Sequence, residues 1–271
     1  MKKRIITALI LAVTVSAALL GCSEKTQINS THVSAVKEDK KDVVKSADEQ
    51  IKIIADNAEA WFGKIHNGST YKYCVTDLDG NGRLEILCGG VGGSSSESMG
   101  GIYEINTAFD GVELCEGKIY NCDMTLKDEF FCRIDKETGK IYYEMQNGDR
   151  GSSNDFLGEK YAVILHNGKI DEIFLSSYYR EHLVYEDVDV FDIKDYNGNE
   201  ITKEQHEAIY DTYFEGYEKK TVTLGWHEAE RLSYEEWYKT QDNTQYITNK
   251  IPEKDELIKI LMESYKKFSI K

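Results

Sequence analysis

"YKYCVTDLDGNGRLEILC", residues 71–88, alternates apolar and polar positions on both sides of a run of turn formers. Residues 71–76 and 83–88 have the period of two expected of half-buried strands, and Asp79-Gly80 and Asn81-Gly82 between them tolerate positive φ. A hairpin here decides the fold class, because strands joined by short turns pair antiparallel, whereas parallel strands need long crossovers. The same signature recurs downstream. Further strands are predicted at 101–106, 111–115, 129–134, 140–146, 160–166, 169–175 and 186–193, divided by Asp110-Gly111, "KETGK" at 136–140 and "HNGK" at 166–169. The Gly/Ser-rich run 89–101 reads as a flexible surface loop; it lacks the GK[ST] ending of a P-loop.

Helical periodicity flanks this region. Ser46 to Glu49 has the form of a capping box, followed by Ile51, Ile54, Ala55, Ala58, Trp61, Phe62 and Ile65 on one face, which predicts a helix to about His66. Beyond 193, Thr202 to Gln205 forms a second capping box before a helix through residue 219, and 222–226 reads as a short strand. Ser233 to Glu236 opens a short helix carrying Trp237. Pro252 suits position N1 of a last helix with Leu257, Ile260, Leu261, Tyr265 and Phe268 as its apolar stripe. The expected architecture is α+β: one domain over 46–271, an antiparallel meander (70–193) packed by an N-terminal helix and a helical segment (202–271).

The hairpin tip carries the chemistry. Asp77, Asp79 and Asn81 stand at positions 1, 3 and 5 of a D-x-D-x-N-G loop, and Gly82 at position 6 turns the Arg83 carbonyl toward the same point. A calcium ion wants six to eight oxygens, several of them anionic, on a loop that can wrap it. The helical EF-hand needs a bidentate Glu at position 12, where this chain has Cys88; Glu85 stands at position 9 instead. The expected ligand set is therefore Asp77, Asp79, Asn81, the Arg83 carbonyl and Glu85, with Ca2+ as the cofactor. A polar turn without an ion is the simpler alternative, but it requires only one Asn-Gly or Asp-Gly pair. A pair of catalytic carboxylates is the third, and an exposed, mutually repelling cluster suits it less well.

The pattern D-x-D-x-[DN]-G-x-x-[DE] between strands resembles the calcium loops of integrin-type propeller and VCBS-like repeats. It occurs once here, so the resemblance implies a site and not a propeller. At the N-terminus, Lys2, Lys3 and Arg4 precede an apolar run from Ile5 to Ala18, and Leu19-Leu20-Gly21-Cys22 resembles the lipobox of bacterial lipoproteins. That resemblance implies removal of residues 1–21, a lipid on Cys22 and anchoring to the outer side of the cell membrane. Residues 22–45, polar and aperiodic, then read as a disordered tether. The whole layout resembles cell-surface lipoproteins of gut Firmicutes that combine a lipobox, one "DLDGNG..EI" hairpin and a Tyr-rich "NG.EITKEQ" helix; it brings no activity with it.

Charge narrows the partners. The chain holds 33 Lys+Arg against 48 Asp+Glu, and losing Lys2, Lys3 and Arg4 leaves 30 basic residues and a net charge near −18. Such a field disfavours nucleic acid and anionic headgroups. Cys74 and Cys88 lie symmetrically about Asn81, and a hairpin in that register would set them face to face as a candidate disulfide. No Cys/His cluster suggests zinc. The scattered histidines and serines give no catalytic signature, and Asp187/Asp189 and Glu228/Glu230 read as solvated faces. The expected function is a lipid-anchored extracytoplasmic module, braced by Ca2+, with a protein or glycan partner. An envelope hydrolase and a carbohydrate-binding lipoprotein are the alternatives, the latter on the aromatics of 176–182 and 233–241.

Overall fold

The computed structural model describes residues 44–63, 70–92, 97–117, 127–149, 155–240 and 249–271. The signal, lipobox and most of the tether lie outside the described residues, as does Cys122. The described part belongs to one unit, Val43–Lys271.

The Tyr71–Cys88 hairpin forms as read. β1 (Thr70–Thr76) pairs antiparallel with β2 (Glu85–Gly92), which pairs with β3 (Glu97–Ile105) and through it with β4 (Val112–Leu114). A second antiparallel run follows: β5 (Glu129–Ile134), β6 (Ile141–Asp149), β7 (Asp155–His166), β8 (Lys169–Leu183) and β9 (Val188–Asp195). Three later strands complete the sheets, β10 (Glu218–Thr223), β11 (His227–Glu228) and β12 (Ser269–Ile270). The meander is thus two sheets, ordered β11-β1-β2-β3-β4 and β12-β10-β5-β6-β7-β8-β9, and the class is α+β.

Alternation assigns the faces. On β1 the side chains of Tyr71, Tyr73 and Val75 meet Ile51, Ile54, Trp61, Leu257 and Leu261, from α1 (Ala47–Asp56), α2 (Ala58–Trp61) and α6 (Lys254–Lys267). Cys74 between them points the other way, with Leu78, Leu87 and Ile102, onto Cys132, Tyr143, Met145 and Val163 of the second sheet. The far face of that sheet carries α3 (Lys203–Glu207) and α4 (Ile209–Tyr213), through Ala162, Leu175, Tyr210 and Phe214. Both strand layers are buried between helices, which is why so few sheet residues near the centre are polar.

Several expectations need correction. Residues 89–92 and 97–101 are paired strand, not loop, since glycine backbones complete the β2–β3 ladder. The first helix breaks at Asn57, whose side-chain amide donates to the Ile53 carbonyl at 2.9 Å. The helix predicted through residue 219 stops at Tyr213, and after Gly216 (φ 87°) the chain enters β10. Pro252 precedes the Glu253 cap of α6 instead of occupying N1. Gly225 is required where it stands: a Cβ there would lie 2.2 Å from the Ser264 carbonyl oxygen of α6.

The Cys74–Cys88 disulfide is also overturned. Thr76 faces Glu85, which sets Cys74 opposite Leu87 and Cys88 opposite Tyr73. This is one residue from the symmetric register, and a one-residue slip moves a side chain to the other face. Cys74 therefore enters the inter-sheet core and Cys88 the helix-side core, and both are free buried thiols. Burial pushes the Cys88 thiol up to about 12.

Candidate metal centre

Thr76 and Glu85 are the last paired residues of β1 and β2, so residues 77–84 form the loop between them. Leu78 anchors it. Its side chain is fully buried between the two sheets, its N–H donates to Glu85 Oε2 at 2.8 Å, and its carbonyl accepts the hydroxyl of Tyr143 on β6. Gly80 (φ 66°) and Gly82 (φ 83°) make the two left-handed steps that fold the chain back. With Leu78 turned inward, Asp77 and Asp79 on either side of it reach Glu85. One carboxylate oxygen from each of the three lies within 4.8 Å of the others.

Glu85 is the unusual member. It has no solvent exposure. Oε2 accepts from the Leu78 N–H and from Thr76 Oγ1 at 2.9 Å, while Oε1 is buried with no hydrogen-bond partner. A buried acceptor left unpaired costs about 1–3 kcal/mol, and more when it is charged. Burial pushes the Glu85 carboxyl well above the ordinary carboxylate range, against the Leu78 N–H, and Asp79 and Asp77 push it further. Burial also raises Asp77, whose Oδ1 accepts the Gly82 N–H at 3.4 Å.

Of the predicted ligands, Asp77, Asp79 and Glu85 converge. Asn81 turns its side chain elsewhere, and the side chain of Arg83, whose carbonyl is the expected ligand, does the same. The Asn81 amide donates to Asp79 and, at 2.6 Å, to Glu104, while its oxygen accepts the Arg83 N–H at 2.7 Å. The Arg83 guanidinium pairs with Glu104 at 2.9 Å. Glu104 sits on β3 directly opposite Glu85, so this pairing compensates the second inward carboxylate and leaves Glu85 uncompensated. Asp79 Oδ2 also accepts the Asn167 N–H at 2.8 Å, tying the loop to the β7–β8 turn.

Gln50, Glu104, Tyr143 and Asn167 were not singled out by the sequence reading. Two carried a signal: Glu104 stands in the apolar alternation of "GIYEI", and Gln50 stands beside Ile51 and Ile54 on the buried face of α1. Gln50 holds the loop from the helix side, donating to the Gly82 carbonyl and accepting the Leu84 N–H, both at 2.8 Å. Gln50→Ala leaves both backbone groups without these partners. It is expected to cost about 1–2 kcal/mol in urea melts.

Elsewhere, Ser176 Oγ lies 2.9 Å from His206 Nδ1, beneath α3. Ser176 is fully buried, so the pair serves packing, not substrate attack. Of the aromatics proposed as a sugar platform, Tyr178 packs between Phe156 and Phe191 and against His206, whereas Tyr234 and Tyr238 stack on each other and stay exposed. Trp237 falls outside the described side chains. No family model, no curated protein and no solved structure matches this chain.

Proposed function

We propose that this chain is a lipid-anchored extracytoplasmic module whose β1–β2 loop is braced by Ca2+. The observation that carries the metal reading is Glu85 Oε1: a fully buried, unpartnered carboxylate oxygen beside Asp77 and Asp79. A divalent cation bound there would supply the missing partner and offset the repulsion of three carboxylates. The donors are all oxygen, two or three of them anionic, with no imidazole or thiolate in the trio, which favours a hard cation over zinc or copper. Asp77, Asp79 and Glu85 would hold the ion. Because Leu78 joins the loop to Tyr143, and Asp79 joins it to Asn167, the ion's effect would be to stiffen the seam between the two sheets. Anchoring rests on the lipobox resemblance at Cys22.

Two measurements test this reading. Calorimetric titration of chelator-treated protein with Ca2+, and separately with Mg2+, should give saturable heat for Ca2+ in the range of about 10⁻⁴–10⁻³ M typical of extracellular modules. Absence of heat, with no change in melting temperature, removes the metal from the reading. Metabolic labelling with a radioactive fatty acid should mark the wild type and not Cys22→Ala; equal labelling removes the anchor.

A further inference from the structure

Among the described residues, three of the four sheet edges are closed by very short strands: β11 and β12 have two residues each, and β4 has three. Short edges are one way proteins keep other chains from pairing. The fourth edge differs. β9 has eight residues, pairs with β8 in continuous register, and is the last strand of its sheet. The segment after it returns along only the final part: Asp195 and Ile193 bond with Asn199 and Ile201, and Lys194 bridges Glu200. Residues 188–192 therefore present an outer backbone edge with no neighbouring strand among the described residues.

Three of the five side chains along that edge are apolar and exposed. Val188 is 52 % exposed, Val190 44 % and Phe191 51 %, and Val184 and Tyr185 at the hairpin tip are more so. Val188 and Val190 share one face, in line with Leu183 and Glu181 across the ladder. Charge selects the occupant. Residues 181–192 hold Glu181, Glu186, Asp187, Asp189 and Asp192 and no Lys or Arg. A second copy pairing on this edge would set these carboxylates against one another, between molecules already strongly negative, and like charges across a ladder destabilise it. A cationic strand would meet the opposite situation.

We propose that the 188–192 edge of β9 is a docking site for an extended, Lys/Arg-rich peptide segment, which adds to the sheet as a further strand. Its backbone would complete the ladder. Its basic side chains would face Glu181 and Asp192, which share a face with Val188 and Val190, and its alternate small apolar residues would cover Phe191 on the other face. Asp189 and Asp192 already contact cationic or ionisable neighbours, His182 at 3.0 Å and Lys194 at 2.6 Å, so the carboxylates accept such pairing within the fold.

The test uses the full chain and a fluorescein-labelled peptide, Lys-Val-Arg-Val-Lys-Val-Arg, followed by anisotropy. Two control peptides accompany it: one with Glu for every basic residue, and one with Pro for the central Val. The basic peptide should bind saturably, the Glu peptide should not, and the Pro peptide should bind at least about tenfold more weakly, since proline cannot complete the ladder. Glu181→Lys/Asp192→Lys should also lose about tenfold, and Phe191→Pro should do the same by removing an edge N–H, since Phe191 is in phase with the outward backbone groups of Ile193 and Asp195. The surface charge variant keeps the test decisive if Phe191→Pro does not fold. Bound peptide should slow amide exchange at Asp189 and Phe191, whose N–H groups face outward. Equal binding of the Pro peptide would mean attachment by charge alone and would overturn strand addition. Concentration-dependent dimerisation lost in Phe191→Pro would overturn the cationic occupant in favour of a second copy.

Discussion

Glu85→Gln is expected to raise the melting temperature of the metal-free protein while abolishing its response to calcium. The two effects have one cause. In the wild type, Oε1 is a buried acceptor without a partner, facing Asp77 and Asp79. An amide keeps one oxygen for the Leu78 N–H and the Thr76 hydroxyl and turns its NH2 toward the two aspartates, supplying donors where the ion would have sat. It also replaces a carboxyl whose charged form burial disfavours with a neutral amide, so the metal-free fold gains stability. A cation bound there would lose its most buried ligand. At Ca2+ concentrations of about 10–100 times Kd, the wild type should gain about 1.4–2.7 kcal/mol, or roughly 3–10 °C in a domain of this size. The variant should gain none. Thermal melts in EDTA and in calcium, on both proteins, check it: an equal calcium shift in Glu85→Gln would remove Glu85 from the site.

Acid should destabilise the protein through His206, well above the pH at which carboxylates protonate. Burial, and then the Lys160 charge, holds the His206 imidazole down at about 4, from an ordinary 6.5. Lys160 donates to the carbonyls of His206 and Glu207, so its charge is fixed beside the ring, while Ser176 holds Nδ1. A lowered folded value means the unfolded chain binds the proton first. The contribution is therefore complete above about pH 6.5 and is lost as pH falls toward 4. Between about pH 7.5 and 5 the loss should reach about 2 kcal/mol. His206→Asn keeps a side-chain amide near Ser176 and does not titrate. The stability difference between variant and wild type should therefore shrink by that amount over the same interval. Parallel urea-melt stabilities across the range would show that the ring is solvated enough to take up its proton in the folded state.

Local chemistry made much of this legible. Asn167-Gly168 adopts positive φ at both positions, 49° and 75°, as a two-residue hairpin needs. The capping boxes at Ser46 and Thr202 both form. Each depends only on residues within a few positions of one another. The misread pieces depended on contacts further away. Residues 218 and 219 left the predicted helix because their backbone joins a ladder with β5, more than eighty residues earlier, and a tertiary ladder outweighs the propensity of a short helix.

The acidic loop divides in the same way. Sequence alone placed Asp77, Asp79 and Glu85 on one hairpin tip, because their spacing and the two glycines set the turn. Only the tertiary structure decided that Leu78 would be caught between two sheets, that Arg83 and Asn81 would serve Glu104, and that Glu85 would be left buried with one oxygen unpaired. Likewise the period of two announced the strands but not which residue faced which. The one-residue choice of register, which separated Cys74 from Cys88, was made by the cores on either side of the sheet. Turn preference is a property of a few neighbouring residues, whereas register and burial belong to surfaces that meet only once the chain has folded.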